Sequence, residues 1–208
     1  MANKKISDFT EDTAPGDNDW IETETAAGNS RKVKKSNLGG GSLALIQEVV
    51  TSGTQATVTF SSLPSTYRDL IIVVRGRSTR TGNNFDEVRL RFNGDSGNNY
   101  SYVRTGRAVS GAFSDGSETQ SSLYCGAIPA ATSTANLSGL SEIAIGDYNG
   151  ATFMKVVNAQ ATGGGAGDTY MAVFGGHWKN TAAITSILVM LLGGSFVDGT
   201  IVSLYGRK

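Results

Sequence analysis

Residues 43–208 are patterned as a succession of short strands. Residues 56–60 alternate strictly between apolar and polar side chains, which is typical of a half-buried strand. Residues 70–74 form a continuous β-branched run, typical of a strand covered on both faces. Residues 88–92 alternate again, with Val88, Leu90 and Phe92 predicted to face inward. The same patterns predict further strands at residues 100–104, 121–125, 141–145, 153–160, 170–174, 184–191 and 200–205.

Turn signals separate these strands. Asn93-Gly94 and Asn149-Gly150 have the composition of tight hairpin turns. About ten short strands between Gly/Ser/Asn-rich turns, without helical periodicity, predict a mainly β fold, specifically a two-sheet β-sandwich. A jelly-roll-like topology is the preferred version. A lens-shaped, lectin-like sandwich is the alternative, because periodicity does not determine strand order.

Residues 1–38 have a different pattern. Seven acidic residues and no basic residue lie between Asp8 and Glu24, and four basic residues follow within residues 31–35. The spacing predicts a hairpin with strands at residues 20–24 and 30–33 and a turn at residues 26–29. In this hairpin an acidic strand faces a basic one, and each pair of opposite charges adds a few tenths of a kcal/mol.

The N-terminal segment has few residues with which to build a core. Its apolar side chains are Ile6, Phe9, Trp20, Ile21, Val33 and Leu38. This small apolar surface cannot offset the entropy lost when the segment becomes ordered. We therefore expect the segment to become ordered only when it packs against copies of itself or against a partner. The alternative is a charged tail without fixed structure. Residues 39–42, Gly-Gly-Gly-Ser, are predicted to be a flexible hinge between this segment and the body at residues 43–208.

Composition and charge exclude several classes of protein. The 208 residues include 18 Lys and Arg against 18 Asp and Glu, and this balance argues against a nucleic-acid partner. With 1 Cys and 1 His, the chain can form neither an intrachain disulfide nor a multi-histidine metal site, and we expect no metal and no cofactor. The longest apolar run, residues 184–192, is shorter than the roughly 20 residues of a membrane-spanning helix, so no membrane insertion is expected.

Candidate catalytic residues are weakly supported. His177 lacks a nucleophile elbow of the G-x-S-x-G type, so packing or a contact between subunits is the favoured role. Asp86, Glu87, Asp95 and Asp147 could supply the carboxylate pair of a glycoside hydrolase. Acidic residues beside Asn-Gly turns are more often turn residues, and we therefore expect no enzymatic activity.

The segment 93–102 carries the best candidates for ligand contact. It places amides, a carboxylate and two tyrosines in one loop, which is chemistry that stacks on sugars and forms hydrogen bonds with them. Tyr100, Tyr102 and Trp178 are therefore candidates for contact with a glycan, although ordinary hairpin composition explains the same residues. Eight arginines between Arg68 and Arg107 are either solvated residues paired with acids or an intersubunit face.

Two stretches resemble phage virion proteins. Residues 5–38, with Ile6-Ser7-Asp8-Phe9, Asp19-Trp20-Ile21-Glu22 and Lys32-Val33 through Asn37-Leu38, resemble a short module at the start of many tail-fibre and virion-appendage proteins. Most of residues 45–206 resembles a domain common in phage structural proteins. The stretches that carry this second resemblance are 60–67, 90–95, 99–102, 123–131, 142–148, 175–178, 181–187 and 204–206.

The resemblance implies a virion component in which an N-terminal anchor carries a β-sandwich head. Such proteins are usually homotrimers, and the resemblance implies that residues 1–38 bind other virion proteins. It supplies no catalytic residues. We therefore expect a tail-fibre-type appendage that contacts the host surface. A capsid decoration or head-fibre protein without receptor binding is the alternative, and a carbohydrate-active enzyme is a third hypothesis.

Overall fold

The computed structural model describes residues 20–24, 30–34, 43–165 and 168–208. The chain divides into two compact units, Met1–Ser42 and Leu43–Lys208. In the first unit, strands β1 (Trp20–Glu24) and β2 (Ser30–Lys34) pair antiparallel, with Glu22 opposite Lys32. The predicted hairpin strands are therefore present. The predicted turn at 26–29 and the predicted hinge at 39–42 lie outside the described residues.

The second unit, the body, is built from strands alone in its described part. No described segment is a helix of the length and apolarity needed to cross a membrane. The strands are β3 (Leu43–Val50), β4 (Thr57–Ser61), β5 (Asp69–Gly76), β6 (Phe85–Phe92), β7 (Tyr100–Ala108), β8 (Gly111–Gln120), β9 (Leu123–Pro129), β10 (Gly139–Gly146), β11 (Lys155–Gly165), β12 (Asp168–Trp178), β13 (Ser186–Leu191) and β14 (Ile201–Arg207).

The strands form two antiparallel sheets, and this confirms the predicted β-sandwich. The large sheet has the order β3-β14-β5-β10-β11-β12-β7-β8, and the small sheet has the order β4-β13-β6-β9. When the hairpins β7–β8 and β11–β12 are set aside, eight strands remain in two sheets of four, β3-β14-β5-β10 and β4-β13-β6-β9. This is the strand order of a jelly roll. The two hairpins extend one of its sheets by four strands.

The structure adds two strands that the sequence pattern did not predict, β3 and β8. In β3 a bulge opposite Leu204 and Tyr205 interrupts the alternation of side chains. Strand β8 is an edge strand rich in Gly and Ser, so it lacks an apolar face of its own. Residue 153, predicted to begin a strand, instead lies in the loop before β11, which starts at Lys155.

The core lies between the two sheets. Val88, Leu90 and Phe92 of β6 are fully buried, as their alternation predicts. The largest fully buried side chains include Trp178 and Tyr100, which come from neighbouring strands of the large sheet. The ring centroid of Phe92 lies 5.6 Å from that of Trp178 and 6.2 Å from that of Tyr100. Aromatic packing therefore ties the large sheet to the small one.

Candidate functional site

The body has two distinguishable ends. In the large sheet Leu43 pairs with Arg207 and Arg207 pairs with Asp69, so the chain enters and leaves the body at the same end, the entry end. The opposite end is called the distal end. It is formed by the turn at residues 109–110 and by the loops at residues 51–56, 77–84, 130–138 and 192–200.

Hydrogen bonds fix the distal loops to one another. The guanidinium of Arg77 donates to the carbonyl oxygens of Ala130, Ser133, Thr134 and Leu137 over distances of 2.5–3.2 Å. One side chain thus replaces water on four carbonyl groups of a single loop. The loop at residues 130–138 is therefore held in one conformation before any ligand arrives.

A buried carboxylate fixes a second group of distal residues. Asp86, which is fully buried, accepts a hydrogen bond of 2.6 Å from Ser78 Oγ and one of 3.3 Å from Arg80 Nη1. The amides of Glu87 and Gly193 donate to the same carboxylate. Three separate distal segments therefore meet at one charged group whose hydrogen bonds are satisfied.

A cavity of about 260 Å³ opens at this end. We call it the distal pocket. It lies where the hairpin β7–β8 extends past β9, the last strand of the small sheet, so the inner face of the hairpin is only partly covered. The distal pocket is lined by Asn84, Phe85, Arg104, Ala108, Ser110, Phe113, Tyr124, Ala127, Tyr170, Ala172 and Phe174.

Arg104 contributes a charge to the pocket wall, but this charge is already matched. Its guanidinium forms hydrogen bonds of 2.7–2.9 Å with Asp115 and one of 2.6 Å with Tyr124 Oη. It also lies 4.9 Å from the ring centre of Tyr124 and 5.1 Å from that of Phe113. Burial alone would lower the pKa of Arg104, but the hydrogen bonds with Asp115, together with the electrostatic effects of Tyr124, Asp115 and Glu87, outweigh burial and raise it. The pocket therefore presents no unpaired cation to an anionic ligand.

Tyr170 forms another wall of the pocket. Its hydroxyl and ring atoms lie 3.0–3.2 Å from where a Cβ on Gly163 would stand, so a larger residue at position 163 would press against this ring. Among the described residues, Tyr170 Oη is the buried side-chain polar atom that has no hydrogen-bond partner. Burial raises the pKa of this hydroxyl, so Tyr170 is neutral at physiological pH and its hydroxyl remains a donor.

The lining determines which ligands the pocket can take. Five aromatic rings and three alanines offer apolar contact, and few polar groups point inward. A whole hexose would bury several hydroxyls against these walls, and each unpaired hydroxyl would cost roughly 1–3 kcal/mol. A compact, uncharged and largely apolar group fits the pocket better.

The structure corrects two of the three predicted glycan contacts. Tyr100 and Trp178 are 0% and 1% exposed, so neither ring can stack on a ligand at the surface. Both residues face inward because they occupy the core side of β7 and β12. Tyr102 is half-buried, with its ring centroid 5.2 Å from that of Tyr124. It remains partly accessible beside the distal pocket wall.

The polar loop that connects β6 to β7 serves the fold. Asp95 accepts a hydrogen bond of 2.7 Å from Trp178 Nε1 and further ones from Asn99 and from the amide of Gly97. The hydroxyl of Tyr100 donates to the carbonyl oxygen of Asp95. The groups that resembled a sugar site in the sequence thus bind one another.

The predicted acidic candidates do not form a catalytic pair. Asp86 and Asp95 lie near opposite ends of β6, and the strand residues 87–92 separate them by roughly 20 Å, beyond the spacing of a glycoside hydrolase pair. Glu87 forms an ion pair of 2.6 Å with Arg89. Asp147 occupies a turn position with a φ of 45°. Within the described residues, no cluster of three or more His, Cys, Asp or Glu residues could hold a metal ion.

His177 lies exposed on the outer face of the large sheet. Its Nδ1 is 3.4 Å from Ser101 Oγ on the neighbouring strand β7. Within the described part of the chain His177 forms no ion pair or hydrogen bond with a carboxylate, so nothing there would orient its ring as a general base. Its expected role in packing or subunit contact stays a prediction.

The arginines of the basic half have mixed environments. Arg80, Arg89 and Arg104 form ion pairs with acidic residues, as the first interpretation expects, but their side chains are only 10–22% exposed and so are not solvated. Arg77 is bonded to carbonyl groups, and Arg107 is exposed on the outer face of the large sheet.

The predicted attachment residues lie in the N-terminal unit. Trp20 and Ile21 belong to β1 and Val33 belongs to β2. Ile6, Phe9 and Leu38 lie outside the described residues.

Sequence reasoning missed the distal pocket. Its aromatic walls, Phe85, Phe113, Tyr124, Tyr170 and Phe174, come from four strands that are distant in sequence, so no local spacing signals them. No protein-family model, no curated protein and no solved structure matches this chain.

Proposed function

We propose that the protein is a phage virion appendage of the tail-fibre type. In this proposal residues 1–38 attach it to other virion proteins, the chain associates as a homotrimer, and the body contacts the host surface. The resemblance of residues 5–38 and of most of residues 45–206 to virion proteins supports this role. It has no enzymatic part.

The observation that carries the host-contact part is the position of the distal pocket. It opens at the end of the body opposite Leu43, where the chain enters, among loops fixed by Arg77 and Asp86. Preorganised loops lose little entropy on binding, so they suit a surface that must bind repeatedly and weakly. Association into a trimer would multiply a modest affinity at each site.

The residues that line the pocket restrict the kind of chemical group that it would bind. We propose a compact apolar group of a host surface molecule, held against the rings of Phe113 and Tyr170. A glycan remains a candidate for contact at Asn84, which is exposed in the pocket lining, and at Tyr102, which is half-buried outside the lining and nearer the entry end of β7.

Binding of labelled full-length protein to host cells tests this proposal. Ala108→Phe fills the pocket, and we expect it to weaken cell binding at least about tenfold. Ala182→Phe is the matched control, because it adds the same ring on an exposed loop at the entry end. Equal binding of both variants and the wild type would remove the pocket from the host contact. No binding by the wild type would favour the decoration role.

A further inference from the structure

The outer face of the large sheet has an unusual surface. The outward residues of β10, β11, β12 and β7 form a grid, which runs from the row Leu140, Thr162, Met171 and Arg107 to the row Gly146, Val156, His177 and Ser101. We call this grid the outer face. Five of its residues are exposed large hydrophobics, namely Val103, Leu140, Val156, Met171 and Val173, with exposures of 39–66%.

Charge is scarce on the outer face. Glu142 and Arg107 are the only Asp, Glu, Lys or Arg residues among its sixteen positions, four on each of four strands. A solvated surface usually has about 25–35% of such residues, which would be about four or five of sixteen. The face of a sheet that is exposed to water normally carries polar residues. The composition of the outer face is instead typical of a face covered by another molecule.

Gly175 is a second, independent observation. It lies within β12 between Val173 and His177, and a Cβ built on it meets no atom within 4 Å. Its φ is not positive, so neither sterics nor backbone conformation within the chain requires glycine there. Glycine inside a strand costs stability and often marks the close approach of another molecule. The open space above Gly175 therefore leaves room on the outer face for the close approach of another molecule.

The two charges of the outer face are placed so that a second copy would match them. Glu142 lies on β10 and Arg107 on β7, at opposite flanks of the grid. A rotation about an axis parallel to the strands brings the β10 flank of one copy against the β7 flank of the next. Glu142 of one copy then lies about one row, or roughly 7 Å along the strand, from Arg107 of the next copy. The Glu142 side chains of different copies stay apart, and so do the Arg107 side chains.

The area of the face suits a stable contact. The four strands of the outer face, about 4.8 Å apart and about eight residues long, cover roughly 19 Å by 26 Å, or about 500 Å². The flanking strands β5 and β8, which add the exposed Arg75 beside Leu140, extend this surface to about 750 Å². Stable interfaces bury about 800 Å² on each partner.

From these observations we propose that the outer face is the surface through which copies of this chain associate. The proposal rests on the homotrimer proposed above and names its contact surface. Copies pack around an axis that runs along the strands, with Met171, Val173 and the open space at Gly175 turned toward the neighbouring copies.

Sedimentation velocity of the full chain over about a hundredfold range of concentration tests the proposal. We expect the wild type to sediment near three times 21.7 kDa. Val173→Lys introduces a charge at the centre of the face, and we expect it to raise the dissociation constant at least about a hundredfold. Leu192→Lys is the matched control, since Leu192 is 49% exposed against 47% for Val173 but lies outside the face. It should sediment as the wild type does.

Gly175→Val separates association from folding. Valine suits an exposed strand position, so the midpoint of thermal unfolding at a concentration where the chain is monomeric should be unchanged or higher, while association weakens. If Val173→Lys and Gly175→Val both sediment as the wild type does, the outer face is not the interface, although the homotrimer stands. A wild type that stays monomeric throughout overturns both proposals. Neither result depends on host binding.

Discussion

Lys155 is a charged side chain used entirely for the fold. It is 1% exposed, and its Nζ donates to the carbonyl oxygens of Gly150, Phe153 and Thr181. No carboxylate accompanies it in the recorded contacts of the described residues. Three carbonyl dipoles therefore stabilise the ammonium and, in return, fix the two loops that flank β11 and β12 at the entry end.

Lys155→Met should destabilise the body strongly, because methionine fills the space but leaves three carbonyl groups without a donor. We expect a loss of about 2–4 kcal/mol in the free energy of unfolding, measured by urea denaturation. Lys179→Met is the control, since Lys179 is exposed and its ion pair with Glu118 is worth at most about 1 kcal/mol. Equal losses in the two variants would contradict the structural role of Lys155.

Asp95 adds a pH dependence. Burial alone would raise its pKa, but hydrogen bonds from Trp178, Asn99 and Gly97 outweigh burial and lower the pKa below its ordinary value of 3.8. A carboxyl with a lowered pKa stabilises the fold above its unfolded-state pKa, and this contribution is lost as pH falls through the folded-state pKa. We expect Asp95→Asn to flatten the fall of stability below about pH 4. The midpoint of urea denaturation, measured for both proteins from about pH 6 to about pH 3, tests this expectation. If the midpoint of Asp95→Asn fell with pH as steeply as that of the wild type, the stabilising role of the Asp95 carboxylate would be contradicted.

At the scale of elements, the alternation of inward and outward side chains along a strand decides which predictions succeed. The alternation in β6 places Val88, Leu90 and Phe92 in the core, and all three are fully buried. The same rule, carried along β12, places Trp178 on the side of Phe174 and Tyr170, facing inward. Loop composition suggested a sugar contact for Trp178, but the alternation of side chains along β12 was the better predictor of its orientation. The distal pocket has no such signal, because its walls meet only after the sheets have packed.

Among the four strands of the two inserted hairpins, β7–β8 and β11–β12, the edge strand β8 should be the least protected from amide hydrogen exchange. It pairs only with β7, and it extends beyond the cover of β9. Every residue of β9 is buried. We expect amide hydrogen exchange to be clearly faster across residues 111–120 than across residues 123–129, as measured by mass spectrometry of peptides. Equal protection of the two strands would mean that β8 is covered in solution.

At the scale of the whole molecule, the eight jelly-roll strands supply the scaffold and the two inserted hairpins supply the distinctive surfaces. Hairpin β7–β8 forms one wall of the distal pocket, and β11, β12 and β7 form most of the outer face. The pocket and the face lie on different surfaces, so the proposed host contact and the proposed association of copies do not compete for the same residues.

Antibody-gold labelling of intact particles from the source, viewed by negative-stain electron microscopy, tests the proposed function most directly. The account predicts gold at the tail or its appendages. Gold spread over the head would contradict the tail-fibre role and favour capsid decoration. Particles that carry no gold, although the antibody recognises the purified protein, would contradict a place in the virion.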